Sequence, residues 1–417
     1  MARHHTFLNR LLDLKPHAFA LSNALLGWHP ALRRAAGFFP DFVWPTERAR
    51  VISDQSRRHH LYEAEHAAVL AIVSQHNVDV MNPLESACAQ DTTRTMIAEI
   101  SAVVIPGHTI TPADAATGSQ ISLGQQGKAR WAFCYPAPIG LNRIVVKERC
   151  IAIPPVFHYT HLLTDVLMPI CEAIRIGAID RQEETVVVTA AHPPLVTAFL
   201  DGLKALGYPI RQLVLKPTQH VATDRYLYAR SHCPNIERIY GVPQAIDTAR
   251  AIFDAAYRDI AAPPLASRLY LKRRGHRLRV VAGEDELVAR LEKAGFRIFE
   301  PAWNNHAEQV AAVAGADVIA AVHGAALVNT IFCKPGAVVV ELMAENARKS
   351  VVLHWSGEGG ADLIPILGGP EGAKQSFAID PEATAEAIIR AAEAVPKKVV
   401  IEQAVPEQAA PKNSIGA

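Results

Sequence analysis

The hydrophobic pattern changes character along this chain. Up to about residue 60, large apolar residues are mixed with Arg and His, as in residues 7–12 and 32–39, and this mixture predicts short amphipathic helices. Between residues 95 and 153, short β-branched runs are broken by Gly, Pro and Asp, which predicts an irregular, β-rich segment. From Phe157 onward, apolar runs of strand length alternate with segments of helical period. That alternation is typical of an α/β fold.

The alternating region divides at Ala261-Ala262-Pro263-Pro264, which interrupts helix and strand alike and is the best candidate for an interdomain linker. Before it we predict helices over 157–176, 194–206 and 244–260 and strands over 185–189 and 212–215. After it we predict strands over 269–271, 297–299, 318–322, 338–342 and 362–367 and helices over 284–293, 307–314, 325–333 and 381–394, the last with Asp380 as its cap.

These elements predict four segments. Residues 1–94 form an N-terminal helical extension, 95–262 a first α/β domain with its β-rich entry segment, 263–395 a second α/β domain, and 396–417 a disordered tail rich in Pro, Lys and Ala. The two α/β domains are expected to be doubly wound and Rossmann-like, facing each other across a cleft.

Composition excludes several classes of protein. The chain has 417 residues, half of them hydrophobic, which is enough for two packed domains. Lys plus Arg number 42 against 41 for Asp plus Glu, so no net field attracts nucleic acid, and we expect no nucleic-acid partner. No apolar run approaches the roughly 20 residues of a membrane span, and the N-terminus lacks the order of a signal peptide. Six scattered cysteines without Cys-x-x-Cys fit reduced core thiols, and we therefore expect a cytoplasmic protein.

The N-terminal segment of residues 1–60 allows two interpretations. Its basic amphipathic character suits peripheral contact with a membrane surface, which would be the inner membrane, or contact with a partner. The alternative is a helical cap packed on the body of the protein. The sequence leaves the oligomeric state open.

The stretch from Val318 to Leu342 carries the strongest signal for a ligand site. A buried strand ends at His323-Gly324-Ala325, where small residues let a ligand approach the backbone. The helix predicted to follow has free N–H groups that suit a phosphate. A second buried strand then carries an acid, Glu341, where the apolar pattern favours another Val. The pattern predicts a phosphate-binding crevice.

Basic residues follow the first strand of the second domain, in the run from Arg268 to Arg277. Strand ends in open α/β sheets face the ligand crevice, so Arg273 and Arg277 could hold a diphosphate through bidentate hydrogen bonds. The alternative is a solvated basic turn.

In the first domain, His161 and Asp165 stand four residues apart at the start of an apolar helical face. On a helix they share a face and can act together on one proton. They could equally satisfy local backbone donors. His158, His161 and Asp165 also have the spacing of metal ligands, the basis of an alternative as a metal-dependent hydrolase. His220 and Asp224 repeat the four-residue spacing, but in a polar stretch that predicts a loop.

Missing motifs narrow the function further. The sequence has no Gly-x-Gly-x-x-Gly, no Gly-x-x-x-x-Gly-Lys-Ser/Thr and no Gly-x-Ser-x-Gly, so dinucleotide enzymes, P-loop enzymes and serine hydrolases lose their main support. It also has no Asp-x-Asp, the usual metal-diphosphate clamp of glycosyltransferases with a single nucleotide-binding domain.

The residues from Phe157 to Leu342 resemble glycosyltransferase family 61, the group of bacterial capsular-polysaccharide enzymes, plant xylan transferases and animal protein O-GlcNAc and O-mannose-glycan transferases. The resemblance rests on five features, which are His161-Leu162-Leu163-Thr164-Asp165 for a His-Trp-Leu-x-Asp-like segment, the Arg-rich turn of Leu271 to Arg277, Glu308-Gln309, the His-Gly-Ala-x-x-x-Asn of His323 to Asn329, and the Pro-Gly-x-x-x-x-Glu of Pro335 to Glu341. Two positions depart from the family pattern: Leu162 replaces a Trp, and Gly283-Glu284 replaces Asn-Glu.

The resemblance implies a GT-B fold, a nucleotide-sugar donor bound mainly by the second domain, inversion at the anomeric carbon and no metal or other cofactor. We therefore interpret the chain as a glycosyltransferase that moves a sugar from a UDP-sugar to a glycan or polysaccharide acceptor. In this interpretation Asp165 is the base, oriented by His161. A non-catalytic member of the fold that binds sugar or serves as a scaffold remains the main alternative.

The same interpretation assigns roles to the second domain. The residues expected to stabilise the leaving diphosphate are Arg273, Arg277 and the helix start at His323, Gly324 and Ala325. Glu341 is expected to hold the ribose hydroxyls. Asn329 and Gln309 are expected to fix the turn around the site.

Overall fold

The structure is a computed structural model. It describes residues 42–43, 46–58, 79–80, 92–107, 110–115, 120–121, 142–156, 158–190, 194–232, 245–260, 266–273, 279–302, 304–346 and 351–394. The predicted amphipathic segments before residue 42, the linker at 261–264 and the tail at 396–417 lie outside these residues. Within them the fold is mixed α/β.

The strands are β1 (Phe42–Val43), β2 (Ala49–Arg58), β3 (Asp79–Val80), β4 (Thr92–Ile100), β5 (Val103–Pro106), β6 (Ala113–Asp114), β7 (Gln120–Ile121), β8 (Arg143–Val146), β9 (Arg149–Ile153), β10 (Thr185–Thr189), β11 (Ile210–Val214), β12 (His220–Thr223), β13 (Tyr226–His232), β14 (Arg268–Leu271), β15 (Val281–Ala282), β16 (Arg297–Phe299), β17 (Val318–Val322), β18 (Val338–Ala344), β19 (Asp362–Gly368) and β20 (Phe377–Ala378).

The helices are α1 (Tyr159–His161), which continues through a π-helical segment (Leu162–Leu167) into α2 (Met168–Arg175), then α3 (Pro194–Ala205), α4 (Ile246–Tyr257), α5 (Glu284–Lys293), α6 (His306–Gly315), α7 (Val351–Gly359) and α8 (Pro381–Ala394). Short 3₁₀ helices span Thr46–Arg48, Ala325–Phe332 and Ala373–Gln375.

Three six-stranded sheets organise these elements. The first sheet has the order β11-β10-β9-β13-β4-β2, in which β11, β10, β9 and β13 are parallel. The second sheet has the order β16-β14-β17-β18-β19-β3, in which all strands except β3 are parallel. The entry sheet, β1-β7-β6-β5-β12-β8, comes mainly from the predicted β-rich segment. Each parallel sheet is built from strands that alternate with helices, as the sequence predicts.

Successive residues of the central strands pack into different hydrophobic cores on the two faces of each sheet. In β9, Ile151 and Ile153 join the core that contains the helices α1 to α4, whereas Cys150 and Ala152 join a core shared with the entry sheet. In β14, Leu269 and Leu271 also reach the helix-containing core, and Tyr270 packs under α5 and α8 on the other face. One continuous core therefore joins the two parallel sheets through the helices between them.

Most predicted elements are confirmed with small shifts at their ends. The strands 185–189, 297–299 and 318–322 and the helices 284–293 and 381–394 have the predicted bounds. Asp380 caps α8, because its Oδ1 accepts hydrogen bonds from the N–H groups of Glu382 and Ala383 at 2.9 and 3.0 Å. The buried, unpaired thiols of Cys150, Cys171 and Cys333 also confirm the prediction of reduced core cysteines for these three.

Several predictions were wrong. Residues 42–58 contribute strands where short helices were predicted, and β2 pairs with β4 in the first sheet, so the expected boundary at residue 94 falls inside a strand. His220 lies in strand β12 instead of a loop, because its partners on both sides satisfy its backbone. The short helix predicted after His323 is present, as a 3₁₀ helix over Ala325–Phe332, whereas α7 was not predicted. No helix in the described part of the chain is long and apolar enough to cross a membrane.

Candidate active site

In the second sheet, the order in which the chain connects the strands reverses between β14 and β17. The chain leaves β14 toward β16 on one side and later returns to β17 on the other, so no connection covers the crevice between the carboxyl ends of β14 and β17. Lys272 and Arg273 follow β14, and His323 and Gly324 follow β17. Open α/β sheets bind ligands at such switch points. The fold therefore brings the predicted residues of the second domain to one place.

Two guanidinium groups flank Gly324 in this crevice. Arg279 donates from Nη1 to the His323 carbonyl oxygen at 3.2 Å and from Nε to Gln375 Oε1 at 2.9 Å. A Cβ atom built on Gly324 would lie 3.7 Å from Arg279 Nη1 and 3.8 Å from the Cδ of Arg273. The open space beside the glycine is thus bordered by two cations.

The charged side chain of Arg273 would be stabilised by a bound anion. Its burial and the neighbouring Arg279 lower the pKa of Arg273, against a smaller opposite effect from Glu284. Its Nη1 is buried and has no hydrogen-bond partner among the residues that the structure describes. A buried donor without an acceptor is costly, most of all on a charged group. A phosphate oxygen would accept from Nη1 and offset the repulsion between the guanidinium groups.

The backbone around Arg279 is unusual. Arg279, Lys374 and Gln375 have φ values of 58°, 56° and 61°, in the left-handed region that residues with side chains seldom occupy. The Arg279 N–H donates to the Lys374 carbonyl oxygen at 2.9 Å. Such conformations persist where the surrounding structure holds them, and they are common at functional sites. Here they direct the Arg279 side chain to the crevice.

His323 and Glu341 form a buried pair behind the crevice. Nδ1 of His323 bonds to Oε1 of Glu341, which has no solvent-exposed surface, whereas the His323 side chain keeps an exposed fraction of 11%. Oε2 of Glu341 is buried without a partner among the described residues. Glu341 therefore lies behind His323 and is bonded to its imidazole. A carboxylate with one unsatisfied oxygen remains a costly group to bury.

The first sheet also has a switch point. It lies at β9, which pairs with β10 on one side and with β13 on the other. The chain leaves the carboxyl end of β9 and enters α1, which carries His161. Nδ1 of His161 lies 2.7 Å from Oδ2 of Asp165, and the hydroxyl of Thr164 donates to Oδ1 at 2.6 Å. The predicted pairing is thus confirmed as a contact. Both oxygens of Asp165 accept hydrogen bonds, and His161 is the more exposed of the two side chains, at 31% against 19%.

The two halves of the site face the same space. Burial, the ring of His161 at 4.7 Å between centroids and the charge of Arg279 lower the pKa of His158, against an opposite effect of Asp165. His158 precedes Tyr159, whose hydroxyl contacts Asn329 in the 3₁₀ helix that follows Gly324. Burial and these charges therefore favour the neutral form of His158.

A chain of side-chain hydrogen bonds joins the two halves beneath the crevice. The hydroxyl of Tyr159 donates to Oδ1 of Asn329, whose Nδ2 donates to Oε1 of Gln309 at 2.9 Å. Nε2 of Gln309 in turn donates to the Ala302 carbonyl oxygen at 2.6 Å. Asn329 and Gln309 are buried at 1% and 4% exposure. Their position fits the predicted role of fixing the surroundings of the site.

Two predicted site residues remain, of which the structure describes Ala325 and not Arg277. Ala325 begins the 3₁₀ helix next to Gly324, so its backbone N–H faces the start of that helix with no intrahelical acceptor. Arg277 lies outside the described residues. Sequence reasoning missed Arg279, although it lies only two residues beyond the basic run. It also missed Tyr159, whose aromatic ring gave no signal of a polar contact with a distant part of the chain.

The model of the family described as Glycosyltransferase 61 matches residues 159–340. This match begins at Tyr159 and ends one residue before Glu341, so it includes His161, Asp165, Arg273, Arg279 and His323. Over these residues the chain is similar to glycosyltransferase family 61. No curated protein matches the chain. This similarity supports glycosyltransferase activity.

The two departures from the family 61 pattern are a core residue and a residue at a helix start. Leu162 is fully buried in the core between the sheets, so the missing Trp alters packing and removes no group from the crevice. Gly283 caps α5 with a φ of 95°, a conformation that Asn also tolerates better than most residues. The backbone at this turn therefore keeps the form that an Asn could adopt.

The alternative of a metal centre finds no support in the geometry. His158, His161 and Asp165 do not form a group that could hold a metal ion, nor does any other set of three or more His, Cys, Asp or Glu within the described ranges. The contact of His161 with Asp165 instead resembles the paired histidine and carboxylate of acid–base catalysis.

Proposed function

We propose that this protein is an inverting glycosyltransferase of the GT-B type, which transfers a sugar from a UDP-sugar to a glycan or polysaccharide acceptor without a metal ion. The observation that carries the proposal is the arginine pair at the switch point. Arg273 keeps a buried donor without a partner among the described residues, beside Arg279 and a glycine that leaves room for a ligand. Two cations and a small residue form a site for a diphosphate.

In this proposal the arginine side chains take the place that divalent metals hold in other transferases. Arg273, Arg279 and the N–H of Ala325 stabilise the negative charge that develops as the bond from the anomeric carbon to the β-phosphate oxygen breaks. His323, oriented by Glu341, borders the same space. Glu341 therefore acts on the donor through His323, a revision of the expected direct contact with the ribose.

His161 and Asp165 activate the acceptor on the opposite side of the cleft. With Nδ1 donating to Asp165, a neutral His161 has its acceptor lone pair on Nε2, which takes the proton of the acceptor hydroxyl. Asp165 then stabilises the imidazolium that forms. This reverses the roles expected from sequence, because both oxygens of Asp165 already accept hydrogen bonds.

Placing the base and the leaving-group site on opposite domains favours a single displacement. The acceptor oxygen attacks the anomeric carbon from the side of His161 while the electron pair of the breaking bond passes to the diphosphate on the side of Arg273. One such displacement inverts the anomeric configuration.

Calorimetry with UDP tests whether the arginine pair binds a diphosphate. We expect UDP to bind in the presence of EDTA, and the Arg273→Ala variant to bind about tenfold or more weakly, because each charge-assisted hydrogen bond contributes roughly 1.5–3 kcal/mol. Arg290→Ala is the matched control, since Arg290 pairs with Glu286 and Glu382 on the exposed side of α5. Binding that disappears in EDTA and returns with Mn²⁺ would refute the metal-free proposal.

A screen of UDP-sugars for donor hydrolysis and for transfer to oligosaccharides tests catalysis. Release of UDP with one donor, and a product of opposite anomeric configuration by NMR, is the expected result. UDP binding without turnover of any donor would instead support the alternative of a non-catalytic, sugar-binding member of the fold.

A further inference from the structure

A second concave site lies on the entry sheet, away from the crevice. This pocket of about 730 Å³ is lined by residues of β5, β8 and β12 and by the turns that lead into β9 and β13. Lys147 and Arg225, which line it, stand next to the amino ends of β9 and β13. The candidate base follows the carboxyl end of β9. A five-residue strand spans roughly 15 Å, so the pocket and the crevice lie at opposite ends of the first sheet.

The floor of the pocket is an apolar row across three strands. Ala222 of β12 pairs in register with Val104 of β5 on one side and with Val145 of β8 on the other. Paired residues point to the same face of a sheet. Val145 is 60% exposed, which is unusual for a Val in a strand. A flat row of small apolar side chains suits the C–H face of a sugar ring.

At one end of this row, two basic side chains can bind an anion. His220 pairs in register with Arg143, and both line the pocket. His220 is only 7% exposed, and its Nδ1 is buried with no hydrogen-bond partner among the described residues. Arg143 is exposed and forms no ion pair within those residues. A buried ring nitrogen and a guanidinium on neighbouring strands provide donors for one oxyanion.

The other end of the row carries groups that suit hydroxyls. Lys147 and Asp224 follow β8 and β12 directly, and both line the pocket. Oδ1 of Asp224 accepts a hydrogen bond from the Ala102 N–H at 3.0 Å, which fixes the carboxylate in place. A carboxylate and an ammonium group that line the same end of the pocket can accept from and donate to the hydroxyls of a sugar.

We propose that this pocket binds an acidic saccharide, with a carboxylate of the sugar on Arg143 and His220, its ring on Ala222 and Val145, and its hydroxyls on Lys147 and Asp224. The site holds a segment of the glycan at a distance from the reacting end. This use of the pocket rests on the proposed function, whereas binding itself is measured without any transfer.

Calorimetry with tetragalacturonate tests the site. We expect binding that weakens with added salt, that is reduced about tenfold in Arg143→Ala, and that is abolished in Val145→Asp, which places a carboxylate on the exposed floor. Both positions are exposed, so neither variant should unfold the protein. Arg390→Ala, which removes an exposed cation on α8, is the matched control and should bind as the wild type does.

The fully methyl-esterified tetrasaccharide has the same rings without the charge, and it should bind at least tenfold more weakly. Equal affinity for both forms, or binding unaffected by Arg143→Ala, would overturn the assignment of an acidic ligand. Binding of inorganic phosphate without binding of tetragalacturonate would overturn the assignment of a saccharide ligand. Arg273→Ala should retain tetragalacturonate binding while it loses UDP affinity, so failure at this pocket and failure at the crevice are distinguishable.

Discussion

The hydroxyl of Tyr159 donates a hydrogen bond to the side-chain oxygen of Asn329, a residue 170 positions later in the chain. Tyr159 lies two residues before His161, and Asn329 lies in the 3₁₀ helix that begins beside Gly324. The contact therefore fixes the distance between the proposed base and the proposed diphosphate site.

Tyr159→Phe should lower both stability and turnover. The variant leaves the buried Asn329 oxygen without this donor, at a cost of about 1–3 kcal/mol in the free energy of unfolding. Urea denaturation measures that cost, and transfer rate at saturating donor measures the effect on positioning. Tyr208→Phe, at the edge of the first domain, is the matched control. Unchanged unfolding in Tyr159→Phe would show that the hydroxyl is not needed.

Gly324→Ala should fold normally and lose UDP affinity. The added Cβ would meet its nearest neighbours at 3.7 Å or more, which is ordinary contact, so no strain arises in the free protein. It would, however, project between Arg273 and Arg279, where the proposed diphosphate lies. We expect an unchanged melting temperature and at least tenfold weaker UDP binding by calorimetry. A variant that binds UDP as the wild type does would place the phosphates elsewhere.

His161→Ala and Asp165→Asn should both reduce turnover with UDP affinity unchanged. General-base catalysis contributes roughly 10²- to 10⁴-fold, so His161→Ala should lose about that factor at saturating donor. Asp165→Asn retains the proton acceptor and removes only its partner, so it should lose less. The opposite ranking would make Asp165 the base, and near wild-type rates for both would place the base on another residue.

Glu341→Gln distinguishes two roles for this residue. If Glu341 orients His323 beside the phosphates, the variant should weaken the binding of UDP and of inorganic diphosphate by the same factor. If Glu341 instead contacts the ribose, only UDP should bind more weakly. Competition calorimetry measures both ligands. A melting temperature that falls with both affinities unchanged would make the pair purely structural.

His306 should make the protein sensitive to acid. It is buried among Phe253, Tyr257 and Phe332 between the domains, and burial lowers the pKa of His306 to about 3. Below its ordinary value of about 6.5 the unfolded chain binds a proton that the folded protein does not, so stability is full above pH 6.5 and is lost as pH falls toward 3. The loss is about 1.4 kcal/mol per pKa unit. Denaturation from pH 7 to pH 4 should show this slope, and His306→Gln should flatten it.

The sequence by itself determined the local structure and much of the chemistry. Period and turn residues predicted the strand at 318–322, the helix at 284–293 and the cap at Asp380, because these features depend on neighbours a few residues away. The spacing of His161 and Asp165 predicted their contact for the same reason. The family resemblance, confirmed by the match over residues 159–340, also came from contiguous motifs.

Only the tertiary structure decided which residues meet across the chain. The role of Tyr159 depends on Asn329, and that of Arg279 on Gln375, partners that no local pattern relates. The burial of Glu341 behind His323 results from the packing of β17 against β18. The β2 strand escaped prediction because its partner β4 lies over thirty residues away in the sequence. Contacts between distant segments depend on the packing of whole sheets, which short sequence patterns do not encode.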